Sequence, residues 1–233
     1  MKSGYTAWDL KKIAIAAMIS DHAAVSLLYW TGLCKSLYGN GVYTAMRLIG
    51  RMAFPLYAFL IVQGFFYTKN VKYYRMRLLL LALASEIPYN LVAGHSFFYP
   101  QGQNILFLFF TAVLCMGILE QQDMQPFGKL AVLLSACAAV FILRPDYGLG
   151  GLIFILILYF FRGDPLKRVW AGCIVLLLMY RNDSGLASCI AFFFINRYNG
   201  EKGKDMGYLP YAVYPLHMLL LAALGEVFYG LYF

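Results

Sequence analysis

Nine apolar stretches, almost free of charge, divide this chain. They lie near residues 11–31, 47–67, 75–93, 103–120, 128–143, 147–161, 168–181, 186–197 and 208–230. Only 13% of the 233 residues are charged and 62% are hydrophobic. A soluble domain carries about 25% charge and could not cover so much apolar surface. A segment inside a bilayer must satisfy its own backbone, which selects helices. The prediction is an all-α, polytopic integral membrane helical bundle of about nine spans. Several stretches fall below the ~20 residues of a full crossing, so some spans are short or re-entrant. An ordinary cytosolic enzyme, a disordered chain and a disulfide-rich secreted domain are excluded. The five Cys sit in apolar stretches without paired spacing and are expected to be buried free thiols.

The net charge of +8 reads as topology. With the N-terminus inside, the inner segments hold Lys2, Lys11 and Lys12; Lys69, Lys72, Arg75 and Arg77; Lys129; Arg162, Lys167 and Arg168; and Arg197, Lys202 and Lys204. The outer side keeps Lys35, Arg47, Arg51, Arg144 and Arg181. The positive-inside rule therefore sets the N-terminus in the cytoplasm and, with nine spans, the C-terminus outside. Nothing suggests nucleic acid. The membrane is expected to be the cell membrane.

Ionisable residues within spans each cost roughly 2.5–3.5 kcal/mol at mid-membrane, so they mark function or pairing. Asp21 and His22 lie in the first span, Arg51 in the second, Glu86 in the third and His217 in the last. His22 is about 15 Å past Lys12, and Glu86 and His217 are each about 14 Å past Arg77 and Tyr208 at helical rise. Three residues at one depth suggest a shared polar cavity. Pro55, Pro88 and Pro215 each free a carbonyl beside these residues. Asp21 either takes part in chemistry or pairs with Arg51 or Arg47 to hold two helices together. His22 follows Asp21 and points about 100° away, so no Asp–His dyad is expected. Arg51 falls near the outer end of its span. Three His spread along the chain give no metal-ligand spacing, and no metal is expected.

The segments Asp9-Leu10-Lys11-Lys12-Ile13-Ala14 with Asp21-His22, and Arg47-Leu48-Ile49-Gly50-Arg51-Met52-Ala53-Phe54-Pro55, resemble the TraX family. The resemblance continues through Ala84-Ser85-Glu86-Ile87-Pro88, Asn104, Asp146-Tyr147-Gly148 and Tyr214-Pro215-Leu216-His217. It is strongest over about 1–110. The family's namesake is the F-pilin acetylase, within a wider class of transmembrane acyltransferases. The resemblance implies one acyltransferase domain over 1–233 that takes acetyl from cytosolic acetyl-CoA to an amine or hydroxyl acceptor.

On that reading His22 is the general base. Asp21, Arg51, Glu86 and His217 complete the catalytic set, with Arg51 stabilising the oxyanion or orienting the acceptor. Lys69, Lys72, Arg75 and Arg77 hold the phosphates of CoA. Arg47, Asn104 and Asp146 face the acceptor, a peptide N-terminus, a glycan or a small amine. Two other classes compete. A small proton-coupled transporter would use the midplane residues as a relay. A scaffold of a conjugation or secretion apparatus would leave them without a purpose.

Overall fold

The computed structural model describes residues 4–180, 182–204, 207 and 209–232, without the side chains of 37, 209, 210 and 229–232. Lys2 and Arg181, both used for topology, lie outside the described residues, as do Tyr208 and the C-terminal Phe233. The described residues form helices: α1 Ala7–Ala23, α2 Leu37–Gly50, α3 Ala53–Tyr67, α4 Val71–Ala84, α5 Glu86–Gly94, α6 Ile105–Leu119, α7 Pro126–Leu143, α8 Gly148–Phe160, α9 Pro165–Tyr180, α10 Asp183–Cys189, α11 Ala191–Ile195 and α12 Leu209–Tyr232. They group into two compact units. The first is Met1–Tyr57, Ile87–Tyr99 and Leu176–Phe233, and the second is Ala58–Glu86 and Pro100–Val175.

In the first unit, Thr6 starts α1 with a capping box: its hydroxyl accepts from the Asp9 amide at 3.2 Å, and its own amide donates to the Asp9 carboxylate at 3.0 Å. The helix then widens to π geometry over Ala24–Tyr29, two residues after His22. Gly32, at φ 73°, ends this stretch in a conformation that other residues resist. The Ser36 hydroxyl caps α2 by accepting from the Gly39 amide at 3.0 Å. Arg51 and Met52 bridge α2 to α3, and Pro55 sits in the first turn of α3, where a missing N–H breaks no helical bond.

The second apolar segment thus runs from Tyr38 to Tyr67, 30 residues, and begins well before the expected 47. Helix α12 packs against α1 and its wide turn. There the Ser26 hydroxyl donates to the Leu221 carbonyl at 2.7 Å. A Cβ on Gly225 would come within 2.9 Å of the Ser26 hydroxyl, so only glycine permits this approach.

The second unit is built on α6. It packs against α4, α7 and α8, and buries Leu108, Ala112, Val113 and Met116. Helix α8 buries Leu152, Phe154 and Ile155 in return. These two helices, of 15 and 13 residues, are apolar but short.

Contacts at the helix ends tie distant segments of each unit together. In the first unit the Tyr5 amide donates to the Arg197 carbonyl at 2.8 Å, and the Ala7 amide to Glu201 at 2.8 Å. At the far end of α1, the Trp30 indole donates to the Val92 carbonyl at 2.9 Å, and His95 meets Glu226 at 3.1 Å. In the second unit, Gln103 pairs with Arg144 and Asp146 at 3.0 and 2.8 Å. At that unit's other end, the Arg162 guanidinium lies over the Phe66 ring at 4.2 Å.

By length and composition, four helical stretches can cross a bilayer: Ala7–Tyr29, Tyr38–Tyr67, Pro126–Leu143 and Tyr211–Phe228. A fifth is counted if Val71–Ala84 and Glu86–Gly94 act as one broken span. The break falls at Ser85, with Pro88 in the first turn of α5. The chain is therefore an all-α, polytopic membrane helical bundle with four or five candidate membrane-spanning helices of full length. Three further expected spans are the shorter apolar helices Ile105–Leu119, Gly148–Phe160 and Asp183–Ile195. All five cysteines are free; Cys115 is buried, and the others are partly exposed rather than buried as expected.

Candidate active site

Two adjacent residues of α1 carry the polar centre of the first unit, and they face different partners. Asp21 divides its carboxylate between two guanidiniums: Arg47 donates to one oxygen at 2.6 Å and Arg51 to the other at 2.6 Å. The Asp21 and Arg51 side chains are only 14% and 11% exposed, so this is a largely buried ion triplet. Gly50 makes it possible, because a Cβ there would collide with the Asp21 side chain. The Ser20 hydroxyl donates to the Met46 carbonyl at 3.1 Å and tightens the same crossing. Arg51 also donates from Nε to the Arg47 carbonyl at 3.2 Å and sits 5.4 Å from the Tyr180 ring centroid. Arg51 lies near the middle of the 30-residue stretch, not near its end, because α2 begins earlier than the charge pattern implied.

His22 turns to α12 instead. Its Nδ1 lies 2.7 Å from Nε2 of His217. The two rings are nearly parallel, at 13°. Nδ1 of His217 lies 2.7 Å from the Val213 carbonyl oxygen. Tyr214 sets its ring edgewise to both, with centroids 6.5 Å from His22 and 5.9 Å from His217. His217 is buried and His22 is half-buried. Tyr214 was not singled out from the sequence. Its spacing of three from His217 on one helix carried the signal.

The remaining expected site residues fall in the second unit. Asn104 caps α6 through its amide oxygen, which accepts from Leu106 at 3.1 Å. Its amide nitrogen donates to the Glu86 carboxylate at 2.6 Å and to the Ala82 carbonyl at 2.8 Å. Glu86 and Asn104 are therefore partners, and Asn104 is fully buried. Asp146 is exposed, with its amide bonded to Gln103.

The basic residues of α4 and the turn before it also lie in the second unit. Lys69, Lys72 and Arg77 are exposed, and Arg75 reaches α6 within 3.8 Å of where a Cβ on Gly117 would stand. The structure adds two cations at this end. Arg162 lies over the Phe66 and Tyr67 rings at 4.2 and 5.7 Å. Arg168 is buried, 5.5 Å from the Phe59 ring centroid, and donates to the Arg162 carbonyl at 3.4 Å. Tyr159 stacks on Phe66 at 9° and donates to Glu120 at 2.7 Å. By charge alone Arg162 and Arg168 counted only as inner-side topology residues. Among the described residues, no group of three or more His, Cys, Asp or Glu comes together to hold a metal ion.

The TraX protein family matches residues 7–225 of the chain. The probable fimbrial assembly protein FimC, serogroup H1, of Dichelobacter nodosus is 28% identical over 243 residues, covering 94% of this chain and 95% of that one. No solved structure matches. The family's span includes the Asp21 triplet, the His22–His217 pair and the basic end of the second unit, and the chain belongs to the TraX family.

Proposed function

We propose that this protein is a membrane-embedded acetyltransferase. It takes acetyl from cytosolic acetyl-CoA and gives it to an amine or hydroxyl acceptor at or across the membrane. The observation that carries the reading is the hydrogen-bonded pair of His22 and His217 at 2.7 Å, beside an aspartate already neutralised by two arginines. An imidazole with a hydrogen-bonded orienting partner has the form of a general base.

His22 takes the proton from the acceptor as its nitrogen or oxygen attacks the thioester carbonyl. The new C–N or C–O bond forms, and the C–S bond breaks. The CoA thiolate leaves with the electron pair and receives the proton from His22. Arg51, held by Asp21, and Arg47 supply a fixed excess of positive charge, which suits an oxyanion or an acceptor carboxylate. In the second unit Lys69, Lys72, Arg75 and Arg77 bind the phosphates of CoA. Arg162 and Arg168 strengthen that end. Asn104 and Asp146 face the acceptor, and Glu86, bonded to Asn104, serves the catalytic set from that side.

The topology that goes with this places nine traversals in the cell membrane, with the N-terminus inside and the C-terminus outside. It is supported by the same-end contacts of Tyr5 with Arg197 and of Arg162 with Phe66. The family supports acyl transfer, and the fimbrial assembly named for the Dichelobacter relative favours a protein acceptor.

The test is equilibrium binding of labelled acetyl-CoA to the purified protein in detergent. Saturable binding that salt weakens and free CoA displaces is expected. No binding contradicts the enzyme reading. A reporter fused to the C-terminus is expected outside; an inside signal means an even number of traversals.

A further inference from the structure

We propose that His217 is a positioning residue that fixes the base nitrogen of His22 as Nε2. This inference rests on the reading of His22 as the general base. Hydrogen-bond roles along α12 set where the protons lie. The carbonyl of Val213 can only accept, so the 2.7 Å contact requires the proton of His217 on Nδ1. A neutral imidazole holds one such proton, and Nε2 of His217 therefore presents a lone pair. The nitrogen facing that lone pair, Nδ1 of His22 at 2.7 Å, must donate. The only proton of neutral His22 is then on Nδ1, and Nε2 is bare and basic.

Three features hold this arrangement. Tyr214 is edgewise to both rings. The Ser26–Leu221 hydrogen bond and the Gly225 contact fix α12 against α1 on the C-terminal side of His217. Asp21 competes for neither ring, because its oxygens are bonded to Arg47 and Arg51. The chain of donors thus runs from His22 to His217 to the Val213 carbonyl. When Nε2 of His22 takes the acceptor's proton, the cation is stabilised through Nδ1 by the lone pair of His217. The same proton leaves from Nε2 to the CoA thiolate, and the pair returns to its starting state.

The tautomer is read directly by NMR of the full-length protein, labelled with ¹⁵N-histidine, in detergent. The signals of His22 are identified by their loss in His22→Ala. A protonated Nδ1 and an unprotonated Nε2 on His22 are expected; a proton on Nε2 of His22 in the resting protein overturns the proposal.

A second readout is CoA release from labelled acetyl-CoA with water as acceptor. His217→Leu is expected to lower kcat on the order of 100-fold while KM for acetyl-CoA stays within about twofold. His217→Gln puts an amide oxygen near the place of Nε2 and is expected to keep kcat within about fivefold of wild type. A wild-type rate in His217→Leu overturns the proposal, and so does a His217→Gln rate as low as that of His217→Leu. A wild-type rate in His22→Ala instead removes the reading of His22 as base, while the NMR result still reports the tautomer.

Discussion

Asp21 and His22 are neighbours on one helix, yet their surroundings are opposite in kind. Asp21 is a largely buried charge with each carboxylate oxygen engaged, one by Arg47 and one by Arg51. Among the described residues His22 is bonded through Nδ1, to a second imidazole that is itself anchored to a backbone carbonyl. Burying a charge is costly unless it is paired, so Asp21 is committed to structure and to fixing the two arginines. A histidine can be buried neutral, which leaves one nitrogen available for a proton. The 100° turn between successive helical residues is what separates the two roles.

The comparison breaks most visibly at the charge. Asp21→Asn leaves two guanidiniums facing a neutral amide. It is expected to cost on the order of 3–5 kcal/mol of stability, seen as a large fall in the thermal midpoint of the detergent-solubilised protein. A small effect would contradict the commitment of Asp21 to structure as a buried, paired charge. The second unit offers a control, since Glu86 has an uncharged partner. Asn104→Leu removes the donor to Glu86 and to the Ala82 carbonyl and is expected to cost about 1–3 kcal/mol in the same measurement.

Arg162→Ala is expected to raise KM for acetyl-CoA roughly tenfold, about 1.4 kcal/mol, with kcat unchanged. An equal fall in kcat would move Arg162 from donor binding to chemistry. Ser26→Ala, which removes the donor to the Leu221 carbonyl, is expected to cost about 1 kcal/mol in thermal unfolding.

Much of this was legible in the residues. Apolar stretches located the helices, because a membrane tolerates few alternatives to them. Of the two readings of Asp21, chemistry or pairing with Arg51 or Arg47, the pairing is present, with both arginines. His22 was expected to point away from it and does. The His22–His217 pair was legible only as a matching depth. Register across 195 residues depends on how α12 packs on α1, and no local pattern encodes that.

The second long stretch was begun at 47, whereas the Ser36 cap starts its helix at Leu37. Arg162 and Arg168 were hidden for the same reason as His217. A loop's charge is visible in sequence, but the aromatic rings beneath it are brought there by the fold.

The most direct measurement is acetyl transfer itself. Purified wild-type protein and His22→Ala are given acetyl-CoA labelled in the acetyl group, and CoA release and label transfer are followed together. Wild type is expected to turn over, and His22→Ala is expected to bind acetyl-CoA normally while losing on the order of 10²- to 10⁴-fold in rate. Equal turnover by the two proteins would contradict the account of His22 as the base.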